Sequence, residues 1–275
     1  MQKLNFKKKI KLLKPFNLHG QKFDNKTINL IDVKYTPKKA FEKISVRSNI
    51  FIENSFKLAF KIIKENNFYK FINGPISKKY FLNKKFLGMT EYISNKFSLN
   101  NTAMLIFNKN LSVCPLTTHL PLKSVANKIN KKLIINKIKL IHDFYKTHLN
   151  IRPKIAVVGL NPHCESNHLV NEDKHIIEPS IKYLKKKGFN ISGPYPADTI
   201  FLRKNREMFN VILGMYHDQV LGPLKTLYEY DAINITIGLP FIRISPDHGP
   251  NERMMGKNSS SPLSLIKAIS FLDQN

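Results

Sequence analysis

The sequence predicts an α/β fold built on a mostly parallel sheet, and three observations carry that prediction. Short aliphatic and β-branched runs alternate with longer amphipathic stretches, as strand–helix units do. Two of the runs, Lys154–Leu160 and Val211–Tyr216, are almost wholly apolar, the pattern of strands buried on both faces. Three runs lead directly to a histidine: Leu111–Thr118 to His119, Lys154–Leu160 to His163 and Val211–Tyr216 to His217. In open α/β sheets ligands bind beyond the carboxyl ends of the strands, so these three positions are where chemistry is expected.

Taken in order, Met1–Leu18 is basic and lacks the apolar core of a secretory signal, and we read it as surface-exposed chain. Thr27–Val33 and Ser45–Ile52 are predicted strands, the second feeding a helix over Glu53–Asn66. Phe68–Ile72 is a further strand, closed by the turn Asn73-Gly74-Pro75. Ser77-Lys78-Lys79 follows, either a seat for an anion or a solvated loop. A helix is expected from Gly88-Met89-Thr90-Glu91, with Thr90 as its N-cap. Met104–Phe107 and Leu111–Cys114 read as a hairpin, and Ser124–Leu149 as one or two amphipathic helices. Ile155–Leu160 and Glu172–Lys187 make a strand–helix unit, with Gly188 placed as a helix C-terminus prefers.

At 275 residues the chain is long enough for one large α/β domain or two lobes, and no internal repeat or linker divides it. The formal charge of +26 would suggest a nucleic acid or an anionic membrane. Only six of the 45 basic residues are Arg, however, and Lys is spread along the whole chain beside Asn and Ile. A reader of phosphates and bases favours Arg at its working positions, so neither nucleic acid nor membrane is the expected partner. A positive field still suits a small acidic substrate. The two cysteines, Cys114 and Cys164, form no CxxC pair, and no run approaches a membrane span, which points to a reducing, cytoplasmic setting. There is no GxGxxG, no GxxxxGK[ST], no HExxH and no GxSxG.

A single histidine after a strand is most often a cap or turn residue. Three of them would suffice for a catalytic divalent metal with positions left open for substrate, provided that they converge. Spacing alone leaves both readings open.

The surrounding motifs are more specific. Thr117–Leu122 (TTHLPL), Gly159–His163 (GLNPH), Gly193–Thr199 (GPYPADT), Met215–Gln219 (MYHDQ), Asn234–Arg243 (NITIGLPFIR) and Asp247–Gly249 (DHG) occur in this order. Together they resemble the 4-hydroxythreonine-4-phosphate dehydrogenases of pyridoxal phosphate biosynthesis, the PdxA family, from about Phe68 to the C-terminus and more weakly before that. The resemblance implies two α/β lobes of the isocitrate/isopropylmalate dehydrogenase type, made of interleaved segments of one 275-residue chain, with the site in the cleft between them. It implies a homodimer whose divalent metal (Zn, Mg or Co) is held by His119, His163 and His217, the third being supplied by the other subunit. It implies substrate contacts at Thr90, Lys225, Asn234 and Arg243. These residue types suit such contacts, with permanent cations for phosphate and carboxylate and an amide for a hydroxyl or amine. The implied reaction is oxidation of a secondary alcohol by NAD or NADP, followed by loss of carbon dioxide, giving 3-amino-2-oxopropyl phosphate from 4-phospho-hydroxy-L-threonine. Lys78, Asp218 and Asp247 are candidate general bases by type, and His168 and His248 gain no role.

Three departures from the family pattern stand out. The family's first strand and its GDPAGIGPE-like segment are not displayed, so the nucleotide side is expected to be the weaker one. Met89 stands where the family's GHTE has a histidine, and Cys164–Val170 replaces a glycine-rich loop. They keep two alternatives in view: a sister dehydrogenase for a phosphorylated four-carbon sugar acid such as threonate or erythronate 4-phosphate, and a non-catalytic remnant.

Overall fold

The computed structural model of the chain describes residues 7–24, 26–39, 41–82, 85–165, 171–257 and 259–275. His168 and most of the loop replacing the family's glycine-rich segment lie outside the described residues. Two compact units result, one of residues 1–69 with 79–81 and one of residues 70–78 with 82–275.

In the first unit, β1 (Ile10–Leu12) and β2 (Ile28–Leu30) pair in parallel as a two-stranded sheet. Helix α1 spans Asn49–Asn66 and buries Phe56, Phe60 and Ile63 at helical spacing. Its last residue, Asn66, is buried and accepts the Leu18 N–H on its side chain (3.3 Å) and the His19 Nε2–H on its carbonyl (2.7 Å). The strand expected over Ser45–Ile52 does not form. Val46–Ser48 is a 3-10 turn whose first N–H groups are met by Ser45, and Ile50 already lies in α1, 72% exposed. A β-branched run becomes a buried strand only where a sheet neighbour covers it, and here a serine cap starts a helix instead.

The second unit contains an eight-stranded sheet, with order β3-β10-β9-β4-β5-β8-β6-β7. Along the chain come β3 (Lys70–Ile72), the short helix α2 (Lys78–Phe81), which belongs mostly to the first unit, then α3 (Met89–Lys96), β4 (Ala103–Phe107) and β5 (Ser112–Thr117). Next are α4 (Lys131–Leu149), β6 (Ile155–Val158), α5 (Glu178–Lys186), β7 (Ile191–Tyr195), α6 (Arg203–Arg206) and β8 (Val211–Tyr216). The chain closes with α7 (His217–Tyr228), β9 (Ile233–Ile237), β10 (Ile242–Pro246) and α8 (Leu263–Gln274). Strands β5, β8, β6 and β7 run parallel, as do β10 and β3, while β4 and β9 are joined to their neighbours by antiparallel ladders. The sheet is thus mostly parallel, as expected, and the β4–β5 hairpin is present.

Both faces of the sheet are covered. One packs Leu105, Leu116, Val157, Leu213, Ile235 and Ile244 against α4, α5 and α8. The other packs Ile106, Val113, Val158 and Ile212 against Val220, Leu221 and Leu224 of α7. This double covering is the reason β6 and β8 read as unbroken apolar runs. Helix α4 begins where Asn130 accepts the Leu133 N–H (2.9 Å). Ahead of α5, Asp173–Ile177 forms a π turn. Pro179, one residue into α5, has no N–H to return to the preceding turn, which eases that widening. Gly188, at φ +85°, ends the segment in the left-handed conformation. Thr90, expected as the cap of α3, lies inside its first turn, and Gly88 holds the cap position in extended conformation.

Two consequences are measurable. Ile138 is fully buried among sheet and helix side chains, so Ile138→Ala should cost roughly 2–5 kcal/mol in a denaturant titration. Burial pushes the Cys114 thiol up to about 11, which leaves about one part in a thousand as thiolate at pH 8. Iodoacetamide should therefore label Cys114 in unfolded protein and leave it untouched in folded protein.

Candidate active site

Strands β5, β8 and β6 are neighbours and parallel, so their carboxyl ends share one edge of the sheet. His119 lies two residues beyond β5, His217 opens α7 directly after β8, and His163 sits in the turn after β6. Because Thr117 pairs with Tyr216, His119 and His217 come together, their ring centroids 5.7 Å apart. His163 is turned elsewhere: its Nδ1 lies 3.9 Å from Asp198 and its side chain is 73% exposed. Among the described residues no group of three or more His, Cys, Asp or Glu gathers closely enough to hold a metal ion. One chain therefore unites two of the three expected ligands, and His217, expected from the other subunit, is one of them, while His163 stands apart.

The turn after β6 is held by a buried carboxylate. Asp173, 1% exposed, accepts from the backbone N–H of Leu160 (2.7 Å) and Asn161 (3.0 Å) and from the Asn161 side chain (2.9 Å). His163 and Cys164 are consequently kept at φ 56° and 60°, a region costly for side chains with a Cβ. Gly159 makes room for this, since a Cβ there would meet Cys164 Sγ at 2.6 Å and Asp173 Oδ1 at 2.7 Å. Gln219 fastens β8 to β6, accepting from Met215 N (2.6 Å) and donating to the Gly159 carbonyl (2.8 Å).

The carboxylate–imidazole geometry suits metal ligation. His217 Nδ1 is 2.6 Å from Asp218, and His119 Nδ1 is 3.6 Å from Glu91, so in each case Nε2 is the nitrogen left to bind. In this structure His119 Nε2 is met by Lys78 Nζ at 3.2 Å, an ammonium that a bound metal would have to displace. Burial pushes Glu91 up, but His119 and Thr118 more than reverse this and leave it at about 2. The paired imidazoles thus fit a borderline divalent cation.

On the α7 face of the sheet, the register aligns Thr236 with Arg243 and Asn234 with Ser245. Arg243 is 1% exposed; its Nε donates to Asn73 Oδ1 (2.7 Å) and its Nη1 to Thr236 Oγ1 (3.1 Å). Thr90 Oγ1 lies 3.3 Å from the same Thr236 hydroxyl, joining α3 to this group. Burial lowers the Arg243 guanidinium to about 10, and no carboxylate among the described residues pairs with it. Asn234 Oδ1 is buried and has no hydrogen-bond partner. Lys225 is paired with Asp247 through Oδ2 (2.5 Å) and the carbonyl (2.6 Å), and burial raises the Asp247 carboxyl against the pull of Lys225. Burial likewise lowers Lys78 below the usual lysine range, with Glu91 opposing and Arg243 assisting.

Five of the expected residues thus fall into two groups, His119 and His217 with Lys78, and Arg243 with Thr90, while His163 stands apart and Lys225 pairs with Asp247. Glu91, Asp173, Gln219, Asn73 and Thr236 join them as partners that no spacing in the sequence marks out. All but Asn73 and Asp173 lie inside or beside the quoted motifs, and that proximity is the only signal of them.

A family model described as pyridoxal phosphate biosynthetic protein PdxA matches residues 2–272. The chain belongs to the PdxA family. The resemblance carried by the six motifs is borne out, and so is its weaker extension before Phe68. A 4-hydroxythreonine-4-phosphate dehydrogenase from Sulfurihydrogenibium sp. is 39% identical over 246 residues, covering 88% of this chain and 74% of that protein. One from Neisseria meningitidis serogroup A is 42% identical over 186 residues, 67% of this chain and 56% of its own length. A crystal structure of the Klebsiella pneumoniae enzyme of that name superposes with a TM-score of 0.80 at 27% identity, over 96% of this chain and 82% of that one. These PdxA relatives are oxidoreductases by name. No helix among the described residues of this chain is long and apolar enough to cross a membrane.

Removing the Asp173 carboxylate strands two backbone N–H groups. Asp173→Ala should cost about 3 kcal/mol or more, measured by urea unfolding, and should release the strained turn at His163 to faster amide hydrogen exchange.

Proposed function

We propose that this chain is a divalent-metal- and NAD(P)-dependent dehydrogenase that oxidises and decarboxylates 4-phospho-hydroxy-L-threonine in the cytoplasm, for pyridoxal phosphate synthesis. The observation that carries the reading is the shared strand edge that delivers His119, His217 and His163, beside a buried guanidinium with no carboxylate partner among the described residues. His119, His163 and His217 would hold the metal, the set being completed across a homodimer interface. Support for that last point is that one chain brings only two of the three together. A bound divalent cation would supply Lewis acidity for the alcohol oxidation and the loss of carbon dioxide, and the nicotinamide would take the hydride.

The chain's own residues do the rest. Arg243 and Lys225 anchor the anionic groups, Arg243 because a buried cation without a counter-charge gains most from one. Covered as it is, Arg243 meets a ligand only after the side chains around it shift. Asn234 offers its unpartnered amide oxygen to a hydroxyl or amine, and Thr90 its hydroxyl. Of the candidate bases, Asp218 is committed to His217 and Asp247 to Lys225. Lys78 remains, its ammonium beside His119 and its proton affinity lowered by burial, which suits it to hold and release the alcohol proton.

The sister reading, a phosphorylated four-carbon sugar acid as substrate, is favoured by Met89, which is buried and brings no polar donor to α3. Nicotinamide reduction with each substrate separates the two; turnover of the hydroxythreonine phosphate alone supports the first. Arg243→Lys should lower kcat/KM by about 10- to 100-fold, the equivalent of one charged hydrogen bond.

Ligation and sharing are tested separately. His119→Ala, His163→Ala and His217→Ala proteins should each lose most of their metal by elemental analysis after dialysis. Mixed His163→Ala and His217→Ala subunits should regain activity that neither has alone. No recovery, once subunit exchange is confirmed, would mean that each site is built within one chain.

A further inference from the structure

The two nitrogens of His119 are constrained from opposite sides. Lys78 Nζ lies 3.2 Å from Nε2, and an ammonium group carries donors only, so Nε2 must accept. The ring proton of the neutral imidazole is therefore on Nδ1. That atom is buried, has no hydrogen-bond partner, and faces Glu91 Oε1 at 3.6 Å. Glu91 Oε2 is likewise buried without a partner. The carboxylate is itself tethered: the Thr118 hydroxyl donates to Oε1 at 2.7 Å. Gly88 completes the clamp. A Cβ there would lie 2.4 Å from His119 Cε1, 2.6 Å from Nδ1 and 2.7 Å from Glu91 Oε2. Only a glycine lets ring and carboxylate share that space. The other two histidines also have a carboxylate near Nδ1, but Asp218 is 89% and Asp198 57% exposed, against 30% for Glu91. Water competes least at Glu91.

We propose that Glu91 is a positioning residue for His119. Tethered by Thr118 and accommodated by Gly88, its carboxylate fixes the imidazole as the Nδ1–H tautomer and presents the Nε2 lone pair to a divalent cation. The separation of 3.6 Å closes to a hydrogen bond by a small ring rotation when a cation draws on Nε2. This rests on the reading of His119 as a metal ligand.

Long-range ¹H–¹⁵N spectra of histidine-labelled protein, recorded where the imidazoles are neutral, read the tautomer directly, with His119→Gln assigning the resonance. The wild type should show His119 as Nδ1–H, and Lys78→Met should leave it so, because Glu91 sets it. Glu91→Ala should move it to the Nε2–H form and weaken Zn²⁺ binding by about 10- to 100-fold in a competition titration. Glu91→Gln, whose amide oxygen still accepts, should keep Nδ1–H and lose less affinity. The proposal is overturned by an Nε2–H wild type, by a tautomer that follows Lys78 rather than Glu91, or by a folded Glu91→Ala protein binding Zn²⁺ within twofold of wild type. Should Glu91→Ala not fold, the wild-type, Lys78→Met and Glu91→Gln spectra decide. Failure of the ligand reading looks different: His119→Ala would then bind Zn²⁺ like wild type, whatever the tautomer.

Discussion

Everything at this site depends on β5, β8 and β6 lying side by side and running the same way. A parallel strand delivers its next residues at one edge, so three adjacent parallel strands deliver three loops to a single line. Strand β8 comes late in the chain yet lies between β5 and β6, and this insertion sets His217 beside His119. The local hydrogen bonds then refine what the topology begins. Gln219 fastens two strand ends to each other, and Asp173 stiffens the third exit into a shape that costs backbone energy. Strain of this kind persists only where neighbouring contacts over-determine it.

Some of this is legible in the sequence, and the rest is hidden for identifiable reasons. Strands buried on both faces leave an unbroken aliphatic signature, so β6 and β8 can be read together with the histidines that follow them. Their order in the sheet cannot, because the ladders join residues about 55 to 100 positions apart, as with Ile155–Val211 and Thr117–Tyr216. The run Ser45–Ile52 differs from its expected strand because β-branched residues at a helix start resemble one until the cap is seen. Threonine prefers a cap position, which is why Thr90 reads as one, whereas its hydroxyl is instead directed at Thr236, 146 residues away. Arg243 and Asn73 are 170 residues apart, and nothing local announces such a pair. The motif residues are thus legible as a set, but the partners that orient them emerge only from the folded chain.

The electrostatics of the site follow from the same crowding. Lys78, Lys225 and Arg243 all lie near the strand edge or on the adjoining face, and burial disfavours the charged form of both Lys78 and Arg243. Of the three, only Lys225 has a carboxylate at bonding distance among the described residues, and Asp247 is itself pushed toward its neutral form by burial. Such an arrangement is poorly compensated by the protein alone. Arg243, buried without a counter-charge among the described residues, opposes folding, and it opposes it less when an anion arrives. A phosphorylated acid brings negative charge at both ends, which answers the excess without any rearrangement of the carboxylates.

That logic separates the overall charge from the local one. The net +26 is spread mostly over exposed lysines, where water and salt screen it and where it sets solubility and long-range attraction. At the site, one desolvated guanidinium, Arg243, acts at short range, where screening is weak and geometry decides. Glu91 shows the opposite sign of the same effect: a carboxylate that burial should neutralise stays ionised because His119 and Thr118 hold it. Acid and base groups are therefore sorted by environment, with Glu91 kept anionic behind the imidazole and the charged forms of Lys78 and Arg243 disfavoured by burial. On the proposed function, selectivity for a small anionic ligand would reside in that short-range sorting, and the lysine-rich surface would add only the field that draws the ligand in.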